Sequence, residues 1–141
     1  MSRPLLCLLA MCLAACSGRL REPTSKTLRI LVSESAQSLE EIRDLCLAGE
    51  TVESSDRMAH LCRVLDVVGV DKYRPRGEVD ERVDICLYSF GTVAAGTSVS
   101  LVWVPEHQQE NMRREALDER TTDYRIRHEH VTGQWWMQTA R

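Results

Sequence analysis

Residues 83–88, Val-Asp-Ile-Cys-Leu-Tyr, are where this chain changes its period. Val83, Ile85 and Leu87 alternate with Asp84, Cys86 and Tyr88, the two-residue repeat of a strand with one apolar face. Residues 98–104 (SVSLVWV) bring the chain back, and Pro105 stops them. Between the two runs lies a small-residue turn, 91–96 (GTVAAG). A β-hairpin therefore occupies the middle of the chain.

Upstream the apolar spacing is helical. Ser38-Leu39-Glu40-Glu41 has the form of a capping box, with the serine as N-cap and Glu41 reaching back. Leu39, Ile42, Leu45 and Cys46 follow on one face, and Gly49 supplies a stop. A second helix is expected over residues 55–68, with Met58, Leu61, Cys62, Leu65 and Val68 aligned and Gly69 ending it. The short turn between them makes a helical hairpin with Cys46 and Cys62 both on its apolar side. These two are the expected disulfide; closing a loop of about 15 residues stabilises by roughly 3 kcal/mol. Residues 27–32 (TLRILV) are β-prone and read as a first strand, and residues 71–81 (DKYRPRGEVDE) read as a polar loop.

Downstream, residues 107–119 (HQQENMRREALDE) are rich in helix formers, but only Met112, Ala116 and Leu117 are apolar. They read as a solvated helix or mobile loop crossing between hairpins. Residues 124–131 and 134–140 flank Thr132-Gly133, a second hairpin turn. In that register His130 faces Trp135 and His128 faces Met137, so Tyr124, Ile126, His128, His130, Trp135 and Met137 share one face. Trp136 points the other way, toward solvent or a partner unless the 107–119 helix covers it.

Two groups of residues carry candidate chemistry. His128-x-His130 puts two imidazoles on one strand face, an arrangement used by some zinc and copper sites, but no third ligand is fixed and no metal is expected. Trp136, Trp103 and Trp135, with His128 and His130, are candidates for a partner surface or a pocket. Cys86 reads as a small buried hydrophobe, since Asp84 beside it disfavours a thiolate. No phosphate loop, serine elbow, HExxH or CxxC is present, so no catalytic residue and no cofactor is expected.

The N-terminus supplies an address. Arg3 precedes an apolar run, 4–15, that is too short to span a bilayer and has the form of a secretory signal. It closes on Leu13-Ala14-Ala15-Cys16, which resembles the lipobox of bacterial lipoprotein precursors. The resemblance implies removal of residues 1–15, a diacylglyceryl group on the Cys16 thiol and acylation of the new amine. Two or three acyl chains hold a protein on a membrane without a spanning helix. Ser17, where an aspartate retains such proteins at the inner membrane, implies an outer-membrane location facing the periplasm. Residues 16–26 would be the lipidated cysteine and its tether, with 18–26 letting the domain stand off the bilayer by about 15–25 Å.

Residues 27–141 suit a single periplasmic domain. Of 18 basic and 21 acidic residues only Arg3 lies in the leader, so the mature chain is slightly acidic. Without a basic stripe, nucleic-acid binding has no electrostatic support. Cys46, Cys62 and Cys86 are the thiols left to the mature chain beyond Cys16, in an oxidising compartment.

The fold class expected is α+β, a helical hairpin packed on a curved antiparallel sheet of about four to five strands. The late strand–turn–strand with Gly133-Gln134-Trp135 resembles the NTF2-like cone of small envelope proteins. That resemblance implies an internal pocket lined by Trp103, His128 and Trp135; the 107–119 helix and the first strand depart from it. The function expected is a membrane-anchored, non-enzymatic lipoprotein that binds or scaffolds an envelope protein. Two others stand beside it. One is an inhibitor or immunity-type lipoprotein acting on a periplasmic toxin or hydrolase through Trp136 or the 91–96 turn. The other is a small-molecule-binding pocket protein.

Overall fold

The computed structural model describes residues 19, 21–91, 96–121 and 125–141. The leader, Cys16, Tyr124 and most of the 91–96 turn lie outside the described residues. Helix α1, Ser25–Leu47, opens the domain. Thr24 caps it, its side chain accepting from the Thr27 N–H. Leu28, Val32, Leu39, Ile42 and Cys46 form its buried stripe. This corrects the first strand expected at 27–32. Leu28 and Val32 are one helical turn apart and extend the Leu39–Ile42–Cys46 stripe, and that burial overrides the local β preference. Ser38 caps nothing; the helix runs through it, with a kink at Ser35. Gly49, at φ +89°, ends α1 in a Schellman motif, with Glu50 N–H bonded to Leu45 O and Gly49 N–H to Cys46 O.

Helix α2, Asp56–Val64, is capped by Ser55, which accepts from Met58 N–H. It stops four residues before the expected end. Asp66 takes a left-handed conformation and Val67 N–H bonds back to Cys62 O, which turns the chain out into the sheet. Strand β1, Gly69–Tyr73, occupies part of what reads as loop; β2, Arg82–Phe90, and β3, Thr97–Trp103, form the expected hairpin. A short 3₁₀ turn, Glu106–Gln108, leads into α3, Gln109–Thr121, and the chain ends in β4, Ile126–Thr132, and β5, Trp135–Ala140.

The five strands form one antiparallel sheet in the order β1-β2-β3-β5-β4. Helices cover both faces. On the first, α1 and α2 pack with Val83, Ile85, Leu87, Val99, Leu101 and Trp135 in the main core. On the second, α3 brings Met112 and Ala116 onto Val102, Val104 and Trp136. Adjacent tryptophans thus belong to different cores, as alternation along a strand requires. The solvated helix expected at 107–119 is a packed layer whose narrow stripe suffices because it covers few sheet residues.

Arg82 fastens that layer. Its side chain is 2% exposed. Its Nε donates to Gln108 Oε1 at 2.8 Å, and its terminal nitrogens donate to Glu115 at 3.2 and 3.3 Å. Burial works against the Arg82 charge, and the Glu115 carboxylate and Tyr73 outweigh it, so the guanidinium pKa is raised. Gln108 Nε2 donates in turn to Asp80 O. Arg82→Ala should lower stability by about 3 kcal/mol in urea unfolding, since it strands the buried Gln108 carboxamide oxygen and empties the site. Glu115→Gln should cost less, about 2 kcal/mol, because it leaves the buried guanidinium without its counter-charge but keeps an acceptor, on the side of the pair that solvent reaches.

Candidate functional site

Three features can be built from the residues: a polar chain under α3, a cleft at one end of the sheet, and a depression at the other. The polar chain begins at Glu119 on α3. Its carboxylate accepts from the His128 backbone N–H at 2.8 Å and bonds His128 Nδ1 at 2.7 Å. His128 Nε2 meets Gln138 Oε1 at 2.9 Å, and Gln138 Nε2 donates to Asp84 at 3.4 Å. Asp84 also bonds Ser100. Burial pushes the Asp84 carboxyl up, Asp71 adds to this, and Ser100 and His128 pull it down. Each member is occupied by the next, so the chain ties α3, β4, β5 and β2 together and leaves no imidazole nitrogen free.

This arrangement corrects the register of the last hairpin. The turn is Gly133-Gln134, with Gly133 at φ +54°, and a bulge separates His130 from Thr132. His130 therefore pairs with Trp136 and His128 with Gln138. One extra residue sends both histidines to the face opposite Trp135 and Met137. Trp103 and Trp135 pair on the first face, so the three residues expected to line one pocket are split by the sheet.

Trp136 is 3% exposed. Its Nε1 donates to Gln109 Oε1 at 3.0 Å, and the His130 ring leans on it at 4.9 Å. Of the two alternatives the sequence leaves for Trp136, the structure has the second: the helix covers it. His130 Nε2 lies 2.8 Å from Gly133 O. Among the described residues no group of three or more His, Cys, Asp and Glu side chains converges to hold a metal ion.

Cys46 and Cys62 are both buried in the main core, as expected, but stand as free thiols; the bridge between them is not formed in this structure. Cys86 is half-buried and its thiol donates toward Tyr88 O at 3.5 Å. Burial raises all three thiol pKa values, and at Cys86 the Asp84 charge raises it further, which is the reverse of what a nucleophile needs.

The cleft lies where β1 and β3 end. Trp103 and Leu47 form its floor and wall, with Arg74, Val79, Pro105 and Gln134 around a volume of ≈390 Å³. The Arg43 guanidinium sits over the Trp103 ring at 5.1 Å, and the buried Trp103 indole N–H has no hydrogen-bond partner. The overhanging loop, 74–81, is pinned at several points. Glu78 N–H closes a turn onto Pro75 O, Asn111 Nδ2 donates to Glu78 Oε1, Gln108 holds Asp80 O, and His107 meets Asp80 at 3.1 Å. Held this way, the loop presents Val79 at 82% exposure. Sequence reasoning singled out Trp103 but not its loop, because the groups that fix the loop lie about thirty residues downstream. Comparison with family models, curated protein sequences and solved structures finds no match to this chain.

Two outcomes follow. Asp84 holds its proton to higher pH when folded than unfolded, so its contribution to stability falls as pH rises from the ordinary aspartate range through the folded value. Asp84→Asn should be more stable than wild type at neutral pH and equal to it once both carboxyl forms are protonated, near pH 3, as thermal melts across pH would show. Cys46 and Cys62 should resist alkylation in the native protein and react only on unfolding; peptide mapping of the envelope-derived protein that recovers them linked would instead establish the bridge.

Proposed function

We propose that this chain is an exported lipoprotein, held at a membrane through Cys16, that binds an envelope protein at the Trp103 cleft and performs no catalysis. The address rests on the lipobox resemblance of Leu13-Ala14-Ala15-Cys16. No helix among the described residues is long and apolar enough to cross a membrane. The observation that carries the binding reading is the pinned loop with Val79 exposed at the cleft that Trp103 also lines. An apolar side chain held in solvent on a rigid loop, beside a half-buried aromatic ring, is the arrangement of a contact site. The groups that could do acid–base work under α3 are engaged with one another, which supports binding over chemistry.

The rim carries Arg74, Asp80, Glu81, Glu106 and His107, so the surface is polar around an apolar centre, as interfaces are. An inhibitor or immunity-type role would use the same surface against a periplasmic toxin or hydrolase, and the partner's identity separates it from a scaffold role. The split of Trp103 and Trp135 from His128 leaves the internal-pocket reading without its lining.

The test is affinity purification of the full-length lipidated protein from detergent-solubilised envelope, in parallel with Val79→Asp and Val64→Asp. Both valines are exposed, so neither change should alter melting. A stoichiometric partner should accompany wild type and Val64→Asp and be lost from Val79→Asp. Equal recovery of a partner by all three, or recovery of the chain alone, would overturn the cleft as the binding site.

A further inference from the structure

The sheet has two ends, and the cleft occupies only one. At the other, β1 begins, β2 ends, β3 begins, β4 begins and β5 ends. Phe90 is 70% exposed there and Ile126 47% exposed, and with Arg125 and Arg141 they line one depression of ≈400 Å³. Large apolar side chains left in water beside cations call for an explanation.

The chain that leads toward Cys16 docks at this same end. Arg141 Nη2 donates to Glu22 Oε1 at 2.6 Å, and Arg141 N–H bonds Arg125 O. Arg19 Nη1 donates to Asp66 O, just before β1 begins, and Pro23 is buried. The free tether expected over residues 18–26 is therefore shortened: Thr24 already caps α1, and Glu22 and Arg19 are held against the domain. Arg19 lies three positions after Cys16, a reach of about 10 Å at full extension. A domain with Arg19 on its surface cannot stand 15–25 Å away from a lipid on Cys16.

We propose that this end of the sheet is a membrane-facing surface, in which Phe90 and Ile126 enter the headgroup region of the bilayer that holds the Cys16 acyl chains. The proposal rests on the lipoprotein reading given above. Charge fits it: Arg125 and Arg141 line the depression and Arg19 docks at the same end, against Glu22 and Asp66, which favours an anionic phospholipid surface. None of this is a run in the sequence; the fold assembles it from residues 19–22, 66, 90 and 125–141. Apolar area entering the interface adds to the anchor and sets the orientation of the domain, with the Trp103 cleft turned away from the membrane.

The experiment places p-benzoylphenylalanine at Phe90, Ile126 or Val79 in the full-length lipidated protein. Each version is reconstituted in vesicles of phosphatidylethanolamine and phosphatidylglycerol, irradiated, and assayed for phospholipid adducts by mass spectrometry. All three positions are exposed, so folding should be unaffected. Adducts at 90 and 126 with background at 79 are expected. Absence of adduct at 90 in a vesicle-bound, acylated chain, or equal adduct at 79 and 90, overturns the membrane-facing surface alone. An N-terminal peptide without acyl mass overturns the lipoprotein reading and this proposal with it.

Discussion

One buried guanidinium makes this a three-layer molecule. Without a partner for Arg82, β2 could not begin where it does, because an isolated charge at 2% exposure would not be tolerated. Glu115 supplies the counter-charge and Gln108 the remaining acceptor, both from the segment that crosses the second face. Placing those two groups fixes α3 on the sheet. With α3 fixed, Met112 covers Trp136, Gln109 receives its indole N–H, and Glu119 arrives at His128. Gln108 passes the restraint to Asp80 and so to the loop that overhangs Trp103. The weakly apolar α3 stays docked because polar contacts add to its narrow buried stripe.

The two ends of the sheet divide the surface chemistry. One end gathers exposed apolar side chains and arginines around the point where the N-terminal segment docks. The other offers a tryptophan floor under a rigid loop. Tethered as proposed, the chain would need both an end that faces its support and an end that faces away, and a sheet with helices on both faces leaves its two ends as the places to put them.

Much of this was legible in the sequence, and the failures have physical causes. The β2–β3 hairpin and the Gly49 stop are local and held; the Ser38 capping box is equally local and did not, because the helix runs through it. The stretch at 27–32 misled because three of its six residues, Thr27, Ile30 and Val32, favour strands, whereas its helical stripe shows only when Leu28 and Val32 are read with Leu39 and Ile42. β1 went unread because it is a short edge strand with little alternation in burial. The faces of His128 and His130 were inverted by one bulged residue, which nothing in Thr132-Gly133 announces. Arg82 was invisible in its role, since its partners lie 26 and 33 residues away. The cleft was half legible: Trp103 stood out as a residue, but the loop that completes it is held by contacts the sequence does not display.

The strand order has a bearing on how the chain comes to be folded. β5 is last in sequence yet lies between β3 and β4, and β4 has no other strand to pair with. The sheet is therefore incomplete until β5 is available, and one of its four pairings, β3 with β5, joins segments far apart along the chain. That pairing is the slow one, because distant segments must meet before it rewards them, whereas the other three join neighbouring strands. Until β5 is made, the chain has its helices and the β1–β2–β3 meander, and β4 has no strand to pair with. If the chain is exported as proposed above, delay of that kind would keep it threadable.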